Sequence, residues 1–338
     1  MSKLIRFGIL GCSTVAKNSF IPALLKSKKT SLEFIGSRSE QKSRSYSKKF
    51  HCNSFGNYED VLSNKNVDAV YISLPPALQE KWVILAAKAK KHIICEKSTA
   101  TSFISAKKMI GECKKNGVRI MEGFSFLYHP QHKMVLNYLK HNKIGIPFFL
   151  DAKFGFNLHK SAKNFRLQKK LGGGILNDVA CYVIKISSIV FQDLPISVLC
   201  NLTYDKKYKI DVHGSIYMTF KNNKTATGFF GYSNSFQSCY EIWGTNGLLN
   251  VEKAFNLRKN KSGKLSLSTD DSTKSSIVRP SDQFQLMIED FSNCLSNTKL
   301  NHENDILKQA FIMDCARKSA SQMKLIKIKN VKQFLGVE

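Results

Sequence analysis

The feature that most constrains the fold is an alternation of short apolar runs and helical segments between residues 4 and 122. The apolar runs predict strands at 4–10, 31–36, 67–74, 92–95 and 118–122, and the segments between them predict helices at 14–26, 77–89 and 102–116. Strands that alternate with helices of this length form a parallel, doubly wound sheet with right-handed crossovers. The sequence therefore predicts an α/β N-terminal domain.

The chain changes character near residue 123. Period-two alternation and turn residues predict further strands with few helices between them, at 148–157, 197–204, 212–221, 226–233 and 240–243. An open, mostly antiparallel sheet is the simplest interpretation, closed by helices at about 281–297 and 303–321. The polar segment 259–276 reads as a loop or hairpin. We expect a first domain over 1–123 and a second, α+β domain over 124–338.

Composition excludes several classes of protein. A chain of 338 residues usually forms two domains. It has no apolar run of about 18 residues and no signal-peptide pattern, so we expect no membrane span. Its nine cysteines lack paired metal-ligand spacing, which predicts no metal site and fits a reducing cytoplasm.

The net charge of +27 is spread along the chain and is not concentrated on one element. Nucleic-acid-binding proteins usually place such charge on one face, so we expect no nucleic-acid partner. A basic cleft that attracts a phosphorylated small molecule is the better interpretation.

A glycine turn follows the first predicted strand. Gly11 occupies the first position of a dinucleotide-binding fingerprint, Ser13 the second and Ala16 the third. Such a turn brings the N–H groups of the next helix to a pyrophosphate. An ordinary strand-to-helix turn is the alternative.

The second predicted strand ends in the sequence Gly-Ser-Arg-Ser over residues 36–39. Dinucleotide-binding folds specific for NAD usually carry a carboxylate here for the ribose diol. Ser37 and Arg38, with Lys42 nearby, would instead bind a 2′-phosphate. The sequence favours NADP(H) over NAD(H), although Arg38 could also be a solvated residue at the start of a helix.

Three polar residues are candidates for the chemistry. Lys97 follows the strand at 92–95, where parallel sheets bind ligands. Asp178 and Tyr182 are four residues apart in a predicted helix after the glycine run 172–174, so they would share one face. An ammonium near a phenol favours the phenolate and suits acid–base work. The alternatives are a solvated Lys97, a Tyr182 packed in the core and an Asp178 that caps or pairs locally.

Taken in order, these motifs resemble the Gfo/Idh/MocA oxidoreductases. The resemblance rests on residues 8–16, Ser37 with Arg38, the segment 71–76, Glu96 with Lys97, the stretch from Gly172 to Tyr182, and residues 241–247. Residues 121–132 are most similar to the branch containing sugar-nucleotide 3-ketoreductases. The family often has Pro where Ser98 stands, and often a His near Gln79.

The resemblance implies that residues 1–123 form a Rossmann domain that binds a dinucleotide, and that residues 124–338 form an open-sheet domain that binds substrate and forms oligomers. It also implies a role for each candidate residue. Cofactor-binding residues would be Gly11, Ser13, Thr14, Val15, Ser37, Arg38, Leu74, Pro75, Glu96 and Lys97. Tyr182 would transfer a proton, Lys97 would stabilise the alkoxide, and Asp178 would orient a substrate hydroxyl. His129, Asn164 and Arg166 would contact substrate, or else make structural contacts.

Three functions stay open at this point. The first is an NADP-dependent reductase of a nucleotide-linked keto-deoxysugar. The second is an NADP-dependent aldose or dihydrodiol dehydrogenase. The third is a nucleotide-binding regulator without turnover. We expect a small-molecule sugar or nucleotide-sugar substrate and a homo-oligomer.

Overall fold

The computed structural model describes residues 4–159, 161, 164–295 and 302–328. By their internal contacts these residues form two units. Unit 1 contains the chain up to Ser125 together with Asp282–Leu307, and unit 2 contains Phe126–Ser281 together with the chain from Lys308 onwards. The assignment of cofactor binding to residues 1–123 and substrate binding to 124–338 concerns function, and it stays a prediction.

The strands lie in two sheets. In chain order they are β1 Ile5–Leu10, β2 Thr30–Gly36, β3 Ser54–Gly56, β4 Ala69–Ile72, β5 His92–Cys95, β6 Ile120–Glu122, β7 Pro147–Gly155, β8 Ser197–Tyr204, β9 Asp211–Thr219, β10 Thr225–Gly231, β11 Gln237–Gly244, β12 Gly247–Glu252, β13 Gly263–Ser268, β14 Thr273–Val278 and β15 Ile326–Lys327.

The helices include two that begin with a π-helical turn, at Ala16–Phe20 before α1 and at Leu176–Ala180 before α7. The α-helices are α1 Ile21–Leu24, α2 Glu40–Phe50, α3 Tyr58–Ser63, α4 Pro76–Lys88, α5 Phe103–Asn116, α6 Pro130–Lys140, α7 Cys181–Phe191, α8 Gln283–Cys294 and α9 His302–Gln322. Short 3₁₀ turns lie at Ser125–Tyr128, Phe165–Leu167 and Lys169–Leu171.

Unit 1 contains a six-stranded parallel sheet in the order β3-β2-β1-β4-β5-β6. The chain builds outward from β1 to β3 and then returns to the other side of β1 at β4. This reversal creates the switch point at which doubly wound sheets bind ligands, at the carboxyl ends of the strands. The predicted α/β fold with a parallel sheet is confirmed.

An aromatic cluster holds the centre of this sheet. The ring of Phe7 on β1 lies 6.0 Å from Phe20 and 6.2 Å from Phe291, and Phe20 stacks on Tyr71 of β4 at 3.5 Å. All four side chains are buried. Aromatic rings bury large areas and prefer defined geometries, so the cluster stabilises the packing of Phe20 and Phe291 on the central strands β1 and β4.

Unit 2 contains a nine-stranded sheet in the order β14-β13-β12-β11-β7-β10-β9-β8-β15. The pair β7 and β10 is parallel, and the other pairs are antiparallel. The open, mostly antiparallel sheet is therefore confirmed, and the polar segment 259–276 forms most of the hairpin β13–β14.

Several elements were not predicted. Unit 1 has six strands where the sequence predicted five, because β3 has only three residues, too few to show alternation. The flanking helices were also missed: the buried face of α2 is mostly serine, and α3 has only six residues. Helix α6 was also missed. The helix predicted to reach 297 ends at Cys294, and residues 296 and 297 lie outside the described part of the chain.

Among the described residues, one helical segment is long and apolar enough to cross a membrane, at Lys169–Phe191. Of its most apolar window, 78% is buried inside the protein. This burial is the pattern of a core helix.

Candidate functional site

In unit 1, β1 ends at a turn that only glycine fits. Gly11 has φ of +111°, and a Cβ placed on it would lie 2.7 Å from the carbonyl oxygen of Ser73. Side chains rarely adopt this backbone conformation. The glycine therefore lets β1 turn beside the end of β4, as the fingerprint predicts.

Ser13 stands where the dinucleotide-binding fingerprint usually has its second glycine. Its Oγ accepts a hydrogen bond from the backbone N–H of Ala16 at 3.0 Å and also bonds the hydroxyl of Ser73. The side chain is thus held against the protein, while Thr14 and Val15 are exposed at the start of the helix. A first helical turn leaves N–H groups without partners inside the helix, so this turn fits the pyrophosphate of a dinucleotide.

The end of β2 carries a basic group. Ser37 is buried and its N–H donates to the carbonyl of Gly56 at 2.9 Å, whereas Arg38 is exposed. The phenol of Tyr58 lies beside Arg38. Burial raises the pKa of Tyr58, and the charge of Arg38 opposes that rise. An exposed guanidinium beside a small hydroxyl residue fits a ribose 2′-phosphate.

A buried tyrosine supports the end of β5. The hydroxyl of Tyr71 donates to Oε1 of Glu96 at 2.5 Å. Burial raises the pKa of Tyr71 well above its usual value, and the nearby Glu96 charge adds to this. Tyr71 therefore stays a hydrogen-bond donor, and it positions the carboxylate that precedes Lys97. Tyr71 was not predicted as a site residue, although it lies in the 71–76 segment on which the family resemblance partly rests.

The strand ends around Lys97 are tightly connected. Lys97 is half-buried, and the peptide bond to the buried Ser98 is cis. The N–H of Thr99 donates to Oε1 of Glu122 at 2.9 Å, which ties the segment after β5 to the end of β6. Lys97 thus lies in a loop at the carboxyl edge of the sheet, and a hydrogen bond connects this loop to β6.

Leu74 and Pro75 lie at the turn from β4 into α4, with Leu74 buried and Pro75 partly exposed. Gln79, where the family often has histidine, is fully buried and donates from Nε2 to the carbonyl of Leu74 at 2.9 Å. Its amide therefore supports the turn from inside.

In unit 2, the side chains of Arg166 and Tyr232 both bind the carboxylate of Asp178. Its carboxylate accepts from Nε of Arg166 at 2.6 Å and from the hydroxyl of Tyr232 at 3.2 Å. Burial alone would lower the pKa of Arg166, but the Asp178 carboxylate outweighs it and the pKa is raised. Tyr232 could not be predicted as a partner of Asp178, because it follows β10 and is 54 residues further along the chain. Two predicted residues, Asp178 and Arg166, are thus brought together.

Tyr182 lies one turn after Asp178, at the start of α7. It is half-buried among three rings, with centroids at 5.1 Å for Phe154, 5.3 Å for Phe126 and 5.7 Å for Phe255. Rings at these distances and tilts restrict a side chain to few orientations. The arrangement holds the phenol in one direction.

The glycines at 173 and 174 lie against other parts of unit 2, which leave no space for a side chain at either position. A Cβ on Gly173 would lie 2.5 Å from the carbonyl oxygen of Arg166, and one on Gly174 would lie 2.1 Å from Oδ1 of Asp211. A run of glycines can permit the close approach of a ligand to the backbone. At Gly173 and Gly174 the space is filled by the chain that carries Arg166 and by Asp211, so the glycines position Arg166.

His129 and Asn164 begin helices. Nδ1 of the buried His129 accepts from the N–H of Gln131 at 3.3 Å, and Oδ1 of Asn164 accepts from the N–H of Arg166 at 3.2 Å. These are structural contacts, as one of the two alternatives expected. A substrate contact by either residue stays a prediction.

Two sequence-family models match the chain. The model described as "Oxidoreductase family, NAD-binding Rossmann fold" matches residues 5–124, and that described as "GFO/IDH/MocA C-terminal domain" matches residues 132–250. The chain belongs to the Gfo/Idh/MocA oxidoreductase family. The predictions of this family, of a Rossmann domain and of an oxidoreductase are confirmed.

Two known enzymes resemble most of the chain. A dTDP-3,4-didehydro-2,6-dideoxy-alpha-D-glucose 3-reductase of Actinomadura kijaniata is 28% identical over 319 residues, which is 94% of this chain and 96% of that one. A D-xylose 1-dehydrogenase (NADP(+)) of Haloferax volcanii is 27% identical over 290 residues, 86% of this chain and 88% of that one.

Among solved structures, a 3-ketoreductase from Actinomadura kijaniata in complex with NADP and TDP-benzene superimposes with a TM-score of 0.89 at 27% identity. The match covers 94% of this chain and 98% of that one.

Proposed function

We propose that this protein is an NADP-dependent oxidoreductase that reduces a keto group of a nucleotide-linked deoxysugar. The observation that carries the proposal is the end-to-end likeness to the 3-ketoreductase solved with NADP and TDP-benzene, which extends over 94% of this chain. That likeness extends over both units, and it supports cofactor binding by unit 1 and substrate binding by unit 2. At 27% identity the particular sugar and nucleotide remain part of the proposal.

The cofactor is NADP(H), which supplies or accepts a hydride when it is bound. We propose that the Gly11 turn, Ser13, Thr14 and Val15 bind the pyrophosphate. Ser37 and Arg38 bind the 2′-phosphate, with charge-assisted hydrogen bonds from the guanidinium. Leu74, Pro75 and Glu96 line the nicotinamide end.

Tyr182 acts as the proton donor in reduction and as the base in oxidation. Its ring is held by Phe126, Phe154 and Phe255, so little orientational freedom is lost when it delivers the proton. Lys97 stabilises the negative charge that develops on the carbonyl oxygen, the type of electrostatic effect that preorganised groups supply well.

Asp178 acts mainly through Arg166. Because its carboxylate already accepts from Arg166 and Tyr232, we propose that it fixes the guanidinium. With Nε bound to Asp178, the terminal nitrogens of Arg166 would contact a substrate hydroxyl or phosphate. His129 and Asn164 would support this region from the helix starts that they cap.

A second candidate is a dehydrogenase of free sugars. The likeness to the D-xylose dehydrogenase of Haloferax volcanii, over 86% of the chain, favours it. Family membership supports an enzyme in both cases, and it gives the non-catalytic regulator no support.

The deciding experiment measures NADPH consumption with a dTDP-linked 3-keto-deoxysugar and with the same keto-sugar lacking the nucleotide. NADP⁺ reduction is measured in parallel with D-xylose and a trans-dihydrodiol. We expect turnover with the nucleotide-linked sugar, at a kcat/KM well above every free sugar. Preferred oxidation of a free aldose would support the second candidate. Binding of NADPH without turnover of any of these substrates would overturn both.

A further inference from the structure

A cluster in unit 1 joins three side chains that have no part in the proposed reaction. Asp290 and Cys294 lie one turn apart on α8, and His302 is the first residue of α9. Among the described residues, their ligating atoms all lie within 4.8 Å of one another. Sγ of Cys294 lies 3.1 Å from Nε2 of His302, and this nitrogen lies 3.4 Å from Oδ2 of Asp290.

These separations resemble the edges of a coordination tetrahedron. With zinc–sulfur, zinc–nitrogen and zinc–oxygen bonds of ordinary length, tetrahedral geometry requires about 3.5 Å between sulfur and nitrogen and about 3.3 Å between nitrogen and oxygen. The sulfur–nitrogen and nitrogen–oxygen distances differ from these values by a few tenths of an ångström, and the third edge, from Sγ of Cys294 to the Asp290 carboxylate, lies within 4.8 Å. Small side-chain rotations would therefore place all three atoms around one ion.

We propose that Asp290, Cys294 and His302 bind a zinc ion. Thiolate, imidazole and carboxylate are the ligand types that zinc uses, whereas magnesium and calcium prefer oxygen alone. Three protein ligands leave the fourth position to water. The sequence analysis expected no metal site because the cysteines lack paired spacing, but this cluster uses a single cysteine.

The charges around the cluster are compatible with a dication. Two anionic ligands and a neutral imidazole would exactly balance Zn²⁺ in formal charge. Two basic groups lie nearby: Lys29, whose ammonium donates to Oδ1 of Asn293, and Arg119, whose Nη1 donates to the carbonyl of Cys294 at 3.2 Å. Its guanidinium is paired with Glu303 at 2.7 Å, so its positive charge is compensated.

The ion would stabilise unit 1. The cluster joins the end of α8 to the start of α9, and the next residue, Glu303, also accepts from the N–H of Ile120 on the edge strand β6 at 3.3 Å. A metal that binds only the folded chain raises stability by mass action. We therefore assign the ion a role in the stability of unit 1, with an open fourth position that distinguishes it from the closed coordination of ordinary structural zinc sites.

The test strips the full-length protein with a chelator and titrates it with Zn²⁺ against a chromophoric competitor. Co²⁺ is used in a parallel titration, because a thiolate ligand gives a charge-transfer band. We expect one ion per chain, a thiolate–cobalt band and a higher melting temperature with zinc. Cys294→Ala, Asp290→Asn and His302→Ala should each weaken binding at least tenfold.

Matched controls are Cys315→Ala, another buried cysteine, and His141→Ala, an exposed histidine. Both should bind zinc like the wild type. The side chain of His302 also contacts Cys294 and Asp290 in the metal-free chain, so the melting temperature of every variant is measured without metal as well, which separates a loss of zinc binding from a loss of folding. Failure of the wild type to compete for zinc, or retention of binding and of the cobalt band in Cys294→Ala, would overturn the proposal.

Discussion

At the end of β2, Ser37 and Arg38 stand where an NAD-specific enzyme would carry a carboxylate for the ribose diol. A charge-assisted hydrogen bond is worth about 1.5–3 kcal/mol, which corresponds to roughly a tenfold to hundredfold change in affinity. We predict that Arg38→Asp raises KM for NADPH by at least this factor, because the new carboxylate also repels the 2′-phosphate, and that it does not raise KM for NADH. Steady-state kinetics with both cofactors provide the measurement.

Lys48→Ala serves as the control for Arg38, because it removes one positive charge from the other end of α2. This variant should keep the cofactor preference of the wild type. An equal loss with NADPH and NADH in Arg38→Asp would mean that Arg38 does not read the 2′-phosphate.

The buried hydroxyl of Tyr71 donates a hydrogen bond to the carboxylate of Glu96. Removal of its hydroxyl in Tyr71→Phe leaves the Glu96 carboxylate without that donor, which should lower the free energy of unfolding by about 1–3 kcal/mol. A double-mutant cycle with Glu96→Gln, measured by urea unfolding, isolates the pair. We predict clear coupling. Additive effects of the two substitutions would show that the hydrogen bond contributes little.

At the scale of single residues, a local turn could be predicted from the sequence, but the partners of side chains could not. The Gly11 turn follows from local chain geometry, so the fingerprint predicts it. The contacts of Asp178 with Arg166 and Tyr232 cross 12 and 54 residues. No periodicity encodes such contacts, and the helical spacing from Asp178 to Tyr182 suggested only a shared face.

Among the elements, α2 shows why some helices escaped prediction. Its buried residues are Ser43, Ser47 and Phe50, so serines occupy most of the stripe that normally carries apolar side chains. Helical periodicity is read from apolar residues, and here the inner face is mostly polar by type although it is buried. By contrast, β5 is a short apolar run, and its predicted bounds match the observed ones.

Helix α6 carries a buried histidine that makes stability depend on pH. Nδ1 of His132 lies 2.9 Å from the hydroxyl of Tyr240, and Nε2 lies 2.9 Å from the carbonyl oxygen of Ala254. Burial lowers the pKa of His132 from 6.5 to about 4. Between these values the unfolded chain binds a proton that the folded chain does not, so stability falls as pH decreases through this window.

A shift of this size corresponds to a loss on the order of 3 kcal/mol once the pH reaches the folded pKa. We predict that His132→Gln flattens the dependence of unfolding free energy on pH between 6.5 and 4.5, measured by urea titration. The exposed-site variant His141→Ala should keep the slope of the wild type. Identical slopes in His132→Gln would contradict a buried neutral imidazole.

For the molecule as a whole, one face of the unit 2 sheet carries large exposed apolar side chains. Leu199 lies opposite Tyr217 in the pairing of β8 and β9, and Phe229 and Trp243 lie on the same face of β10 and β11. Their exposures are 42%, 42%, 56% and 45%. Such a patch on a folded protein usually marks an interface.

We therefore predict that this face is covered by a second copy of the chain. Light scattering of the wild type should give a multiple of the chain mass, and Phe229→Lys with Tyr217→Lys should reduce it to one chain. Leu25→Lys in unit 1, also at an exposed apolar residue, should leave the mass unchanged. A monomeric wild type would refute the prediction.

The layer architecture was predictable because a parallel and an antiparallel sheet leave different periodicities in the sequence. The assignment of residues 282–307 to unit 1 was not, because the sequence pattern of α8 shows an apolar face without showing what it packs against. In the structure Phe291 packs on Phe7, a contact across most of the chain.

The central claim is that Tyr182 and Lys97 serve the chemical step of an NADP-dependent sugar reduction. The most direct measurement is kcat for a nucleotide-linked keto-sugar in Tyr182→Phe and Lys97→Ala, together with calorimetric binding of NADPH to Tyr182→Phe. Loss of a general acid or of a charge-stabilising group typically lowers kcat by about 10²–10⁴-fold. We predict a loss of that size in both variants, with NADPH affinity of Tyr182→Phe within about twofold of the wild type. Near-normal turnover in both variants would contradict the account.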